Sequence, residues 1–155
     1  MKDLVLPDFD KTLTMSRKEI REYISHVETS LMEMEQVEIP LKHYFSKAVY
    51  AREVSLKKGT MAVGEIQKFM SLSILSSGEV TILSIDGVKR VKAPYTFVAS
   101  PGAKRLVYAH EDSTWTSVHG TEETDLEKIE QEVIAKTYDD VVELSQTEII
   151  QIGGL

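Results

Sequence analysis

Apolar side chains recur at two different periods along this chain, and the change of period divides it into three parts. In the first, Ile20, Tyr23, Ile24, Val27, Leu31 and Met34 follow one another at intervals of three and four residues. On a helix they form one stripe, with Arg17, Lys18, Arg21, Glu22 and Glu28 among the remaining positions. Ser16 followed by Glu19 has the spacing of a capping box, in which each side chain satisfies an orphan backbone donor of the first turn. The pattern predicts a helix that ends before Pro40 and whose stripe packs on the domain rather than on a second copy of the chain.

From Leu41 to about His119 the apolar residues alternate, and Val, Ile, Thr, Tyr and Phe become dense. Gly59, Gly64, Gly78, Gly87, Pro94 and Pro101-Gly102 punctuate the segment. Tyr50, Arg52, Val54 and Leu56 share one face of a predicted strand. Leu72 and Ile74 share a face of another, and Val80 and Ile82 lie on a third. Ile85-Asp86-Gly87-Val88 reads as a tight hairpin, with Asp-Gly supplying the positive φ angles of a type I′ turn. Tyr95 to Val98, Leu106 to His110 and Trp115 to His119 complete the set; Trp115, Ser117 and His119 fall on one face. Seven or eight short strands with frequent turns predict a sandwich or barrel.

The third part starts near Gly120. Thr124 and Glu127 have capping-box spacing, and Leu126, Ile129, Val133 and Ile134 give a helical stripe through about Lys136. In the tail, Val141, Val142, Leu144, Ile149, Ile150 and Ile152 are placed to add a strand or dock on a partner, with Gly153-Gly154 fraying. The expected division is a helical arm at 1–40, a β-barrel at 41–120, and a C-terminal helix and tail at 121–155 that packs on the barrel or a partner.

Composition limits the chemistry. The chain has 155 residues, 18 Lys+Arg against 25 Asp+Glu, a formal charge of −7, four His and no Cys. A chain of this length buries roughly 70% of its unfolded surface and folds without staples. The lack of Cys removes disulfides, thiolate metal sites and thiol nucleophiles together. The acid excess argues against broad nucleic-acid binding, which needs clustered Lys and Arg. Lys89, Arg90 and Lys92 form a local basic cluster, read as a solvated strand edge. The first ten residues lack the apolar run of a signal peptide, and no stretch approaches the ~20 apolar residues of a membrane span. The expectation is a cytoplasmic protein with no membrane partner.

The spacing from Gly59 to Gly78 resembles the first motif of the cupin superfamily: Gly, five residues, His, one residue, His, three or four residues, Glu, six residues, Gly. Here Glu65, Gln67 and Ser71 stand at the three ligand positions. Ser100-Pro101-Gly102 resembles the turn of the second motif, and Arg105 occupies its His position. The wording of Gly64 to Lys68, Leu75 to Val80, Ala93 to Arg105, Tyr108-Ala109-His110 and Trp115 to Thr121 is also similar to small cupin-like proteins encoded by bacteriophages. The resemblance implies a mainly β, cupin-type jelly-roll barrel with an N-terminal helix and a C-terminal helical extension. It further implies a homodimer, and a phage source acting in the host cytoplasm.

The substitutions redirect the chemistry. A mononuclear metal centre needs imidazoles and carboxylates with open positions. Gln67 and Ser71 are weak donors, and the permanent charge of Arg105 repels a cation. A makeshift site of Glu65 with His110 or His119 requires that these converge. Otherwise Glu65 is a solvated rim residue and the histidines are structural. An inward Arg105 favours an anion, because a guanidinium matches carboxylate or phosphate with two parallel hydrogen bonds. Gln67, Ser71, His110 and His119 add polar groups, and Tyr95 and Trp115 flat surfaces. The alternative is that Arg105 points outward beside Lys104 or pairs with a core carboxylate.

The expected function is a non-catalytic binding protein with no cofactor. It holds a small anionic or nucleotide-like ligand, or modulates a host factor. A metal-dependent isomerase or oxygenase, and a protein–protein module acting through the helices and tail, are the alternatives.

Overall fold

The computed structural model describes residues 7–141. Helix α1 spans Arg17–Met32, and helix α2 spans Leu126–Val133. Eleven strands are present among the described residues: β1 Leu41–Ser46, β2 Val49–Leu56, β3 Met61–Val63, β4 Ile66–Gln67, β5 Ser71–Ser77, β6 Glu79–Ser84, β7 Gly87–Lys92, β8 Tyr95–Ala99, β9 Leu106–Ala109, β10 Ser113–Gly120 and β11 Ile134–Ala135. The tail residues Val142, Leu144, Ile149, Ile150, Ile152, Gly153 and Gly154 lie outside the described residues, as do the first six.

Two antiparallel sheets face each other. The first has the order β1-β2-β10-β5-β8 and the second β3-β9-β6-β7. Taken along the chain, β2, β3, β5, β6, β7, β8, β9 and β10 cross between the sheets, and the first and last of them are neighbours. That nested order is the eight-stranded jelly roll. Strand β1 extends the first sheet by a hairpin, and β4 pairs with β11, so the C-terminal helix is tied to the barrel rim.

Alternation decides what each face meets. Inward residues Leu56, Leu75, Val80, Ile82, Val107, Ala109 and Trp115 form the barrel core. Outward residues Leu83 and Leu106 of the second sheet meet Ile20 and Ile24 of α1. The helical stripe therefore packs on the domain. Burying Ile20 and Ile24 contributes about 1.5–3 kcal/mol each. The capping box is formed in both directions: Glu19 N–H donates to Ser16 Oγ at 3.2 Å, and Ser16 N–H donates to Glu19 Oε2 at 2.6 Å. Ile129 and Val133 of α2 pack on Tyr50, which closes one end of the barrel.

Three details differ from the sequence reading. The hairpin pairs Ser84 with Gly87, so its loop is Ile85-Asp86, and among those residues only Gly87 has positive φ. A type I′ turn would need two positive φ angles in the loop itself, and Ile85 resists that conformation. The cap of α2 is Asp125, whose carboxylate accepts from the N–H groups of Glu127 and Lys128, rather than Thr124. The helix stops at Val133 because Ile134 turns extended to pair with Gln67. On β5, Leu72 and Ile74 share a face as the alternation predicts; it is the outer one, and Ser71, Ser73 and Leu75 turn inward.

The outer face of the first sheet carries an apolar row. Tyr44, Ala51, Val118, Leu72 and Val98 are successive cross-strand partners across all five strands. Tyr44, Leu72 and Val98 remain 50%, 38% and 46% exposed, so among the described residues nothing covers the row. Among the described residues no helix is long and apolar enough to cross a membrane.

Gly59 and Gly78 both adopt positive φ, at 85° and 88°, but differ in surroundings. A Cβ on Gly59 meets open space, whereas one on Gly78 would press on Ser113 and sit 2.5 Å from the Asp112 carbonyl oxygen. Gly59→Ala is expected to cost about 1–2 kcal/mol from backbone conformation alone. Gly78→Ala is expected to cost distinctly more, because backbone must also move. Urea denaturation of the two variants checks the order.

A cationic site inside the barrel

The inward face of the first sheet changes from apolar to polar along the strands. Val54, Trp115, Leu75 and Tyr95 are cross-strand partners in one row, and Arg52, Ser117, Ser73 and Phe97 in the next. Alternation dictates this: an Arg at the second position of Tyr50-x-Arg52-x-Val54-x-Leu56 must share the inward face of its apolar neighbours.

Arg105 reaches the same place from the other sheet. It immediately precedes β9, and its parity with Val107 aims it inward. Its Nη1 donates to Ser73 Oγ at 2.9 Å, and its guanidinium carbon lies 5.2 Å from the centre of the Trp115 ring. Trp115 is itself held by a bond from Nε1 to Ser117 Oγ at 3.2 Å. Lys104, with opposite parity, turns away to Glu28 at 2.5 Å. Arg105 is therefore neither an outward companion of Lys104 nor part of an ion pair with a core carboxylate. Among the described residues, no carboxylate lies within ion-pair distance of Arg105 or Arg52.

Loss of hydration lowers the Arg105 pKa to about 10, with the more distant Asp86 acting in the opposite sense. At neutral pH it stays charged. His119 feels the consequence: burial lowers its pKa, and the positive charges of Arg105 and then Arg52 lower it further. It is a neutral imidazole beside two cations. Arg52 Nε, Gln67 Oε1 and Ser71 Oγ are buried without a hydrogen-bond partner. Desolvated polar atoms normally find partners, and each left unpaired costs about 1–3 kcal/mol.

A cavity of about 280 Å³ opens onto these groups. Arg52, Gln67, Arg105, Trp115 and Ser117 line its polar side, and Ile39, Leu41, Val54, Leu56, Val107 and Ile134 its apolar side. A second cavity of about 290 Å³ reaches Arg105 from the gap between β7 and β8, past Tyr95, Phe97 and Asp86. The one guanidinium thus borders both spaces.

The structure gathers Gln67, Arg105 and Trp115 around the first cavity and places His119 beside the two arginines. Tyr95 borders the second cavity. Ser71 is buried but lines neither. His110 is elsewhere. It shares parity with Leu106 and Tyr108, so it sits on the outer face of the second sheet. There its Nε2 lies 2.7 Å from Thr81 Oγ1 and its ring packs edge-on against Tyr108. Burial and Arg90 lower its pKa, against the opposing pull of Glu79. Glu65 is exposed at the cavity rim. Glu65, His110 and His119 therefore do not converge, and among the described residues no three His, Asp or Glu side chains are grouped to hold a metal. The donors at the motif positions do not fit a cation either: Gln67 and Ser71 are neutral, and Arg105 supplies positive charge where an imidazole would bind.

The functional residue missed by sequence reasoning is Arg52. Its signal was present as the one charged side chain on an otherwise apolar strand face, where it passed for a component of the alternation.

No family model matches the chain, and no curated protein matches it. Solved structures similar to it include a conserved protein of unknown function from Streptococcus pyogenes, at 21% identity over 58% of this chain and 80% of that one, TM-score 0.46. A cupin superfamily protein from Desulfitobacterium hafniense matches at 14% identity over 59% and 84%, TM-score 0.47. Salicylate 1,2-dioxygenase from Pseudoaminobacter salicylatoxidans matches at 10% identity over 64% of this chain and 31% of that one, TM-score 0.48.

A desolvated cation without a counter-ion weakens the fold that holds it. Arg105→Met is expected to raise unfolding stability at pH 7 by about 1 kcal/mol in urea titrations. The same change is expected to move the NMR titration of His119 to higher pH. Because the folded His119 pKa lies below its unfolded value near 6.5, the unfolded chain binds the extra proton as pH falls through 6.5. Stability is therefore expected to decline below that pH, and less steeply in Arg105→Met.

Proposed function

We propose that this protein binds a small organic anion inside its barrel and does not transform it. The observation that carries the reading is the convergence of Arg52 and Arg105, from opposite sheets, on one cavity, with no carboxylate among the described residues within ion-pair distance of either. An anion entering there gains two charge-assisted contacts and relieves the repulsion that the two arginines impose on a protonated His119. The cavity sits at the small end of ligand pockets, roughly 300–1,000 Å³, which favours small acids over nucleotides. The resemblance to phage-encoded proteins supports a setting in which a host metabolite is held out of circulation.

Calorimetric titration with organic acids, inorganic phosphate and nucleotides tests the reading. Binding to the parent protein is expected, weakened at least about tenfold in Arg105→Leu and in Arg52→Leu, as loss of a charge-assisted hydrogen bond requires. Bound anion is also expected to raise the His119 pKa, because it cancels the nearby positive charge. Failure of every anion to bind the parent, or equal affinity in both variants, overturns the proposal. One bound metal per chain by elemental analysis would turn it toward a metal-dependent enzyme.

The assembly that fits this function is a homodimer through the outer face of the first sheet. On that face the outward side chains of the five strands carry one Lys and one Glu, Lys42 and Glu53, which pair at 3.9 Å. A chain of net charge −7 approaches its own copy with least repulsion across so neutral and apolar a surface. Sedimentation equilibrium is expected to give a dimer that Leu72→Asp with Val98→Asp converts to monomer. A monomeric parent overturns the assembly and leaves the ligand site untouched.

A further inference from the structure

The cavity is divided by chemistry, and the division specifies more than charge. At its polar end, Arg52 and Arg105 supply N–H donors, and Arg52 Nε is buried without a partner. Beside them Gln67 presents an acceptor. Its Nε2 donates weakly to the Glu65 carbonyl at 3.5 Å, and its Oε1 is buried with no donor in reach. The reverse placement of the amide would set two carbonyl oxygens against each other, so the unpartnered group of this cavity-lining residue is the acceptor. Away from this end the walls are aliphatic, with Ile39, Leu41, Leu56 and Ile134 among them.

We infer that the ligand is an amphipathic hydroxycarboxylate: a carboxylate for Arg52 and Arg105, an adjacent hydroxyl for Gln67 Oε1, and an apolar body for the aliphatic walls. This rests on the anion-binding reading and narrows it. A simple carboxylate leaves the Gln67 oxygen desolvated and unpaired. A phosphate or a small hydrophilic acid leaves the apolar wall unfilled. The carboxylate–guanidinium pair is planar and bidentate, and the Trp115 face beneath Arg105 keeps that plane oriented.

The experiment compares mandelate, phenylacetate, glycolate, inorganic phosphate and adenosine monophosphate by calorimetry on the full chain. Mandelate is expected to bind about five- to tenfold tighter than phenylacetate, the worth of one buried hydrogen bond that spares an unpaired acceptor. It is expected to bind at least about tenfold tighter than glycolate, from burial of its ring. Gln67→Leu is expected to erase the difference between mandelate and phenylacetate while both still bind. Equal affinity of mandelate and phenylacetate for the parent overturns the inference without recourse to any variant. Tighter binding of phosphate or adenosine monophosphate overturns the ligand class and leaves the anion-binding reading standing. Absence of binding by all five overturns both.

Discussion

The guanidinium of Arg105 is held between Ser73 and Trp115 without a counter-ion, and much of the molecule is arranged around that fact. Removing such a group from water is unfavourable unless something neutralises it, so the fold must supply the stability that keeps it there. The bond to Ser73 and the Trp115 face recover part of the lost hydration. What remains is a positive potential inside an acidic protein, which adds to burial in lowering the His119 pKa.

The stability comes from elements away from the site. Both sheets put an apolar face into the barrel, and the second puts another against α1, so its strands are packed on two sides. The capping box starts α1 at the residue that lets Ile20 and Ile24 fall on Leu83 and Leu106. At the other end, α2 rests on Tyr50, and β11 ties Ile134 to Gln67, which makes the C-terminal extension part of the cavity wall. The rigid parts thus fix the two arginines from opposite directions, Arg52 on β2 of the first sheet and Arg105 immediately before β9 of the second.

Some of this was legible residue by residue. The stripe from Ile20 to Met34 and the Ser16–Glu19 pair announce α1, because helical spacing and capping are local. Alternation in Tyr50 to Leu56 and Trp115 to His119 assigns faces, and with them the inward position of Arg52. Local signals misled where two neighbouring residues competed for one role. Asp125 rather than Thr124 caps α2, and the Ile85-Asp86 loop displaces the Asp-Gly turn by one residue. His110 belongs to the barrel strands, but strand parity sends it to the outer face, beside Thr81 and Tyr108.

The sequence by itself determined the elements, their buried faces and the scarcity of imidazole and thiol groups, since each follows from composition or short-range periodicity. The tertiary structure alone decided that Arg105 meets Ser73, 32 residues away, and faces Arg52 across the barrel. It also decided that, among the described residues, no carboxylate comes within ion-pair distance of them. The physical reason is that charge pairing and desolvation depend on which strands become neighbours. The jelly roll brings together strands from opposite ends of the chain, and that pairing has no local spacing to betray it.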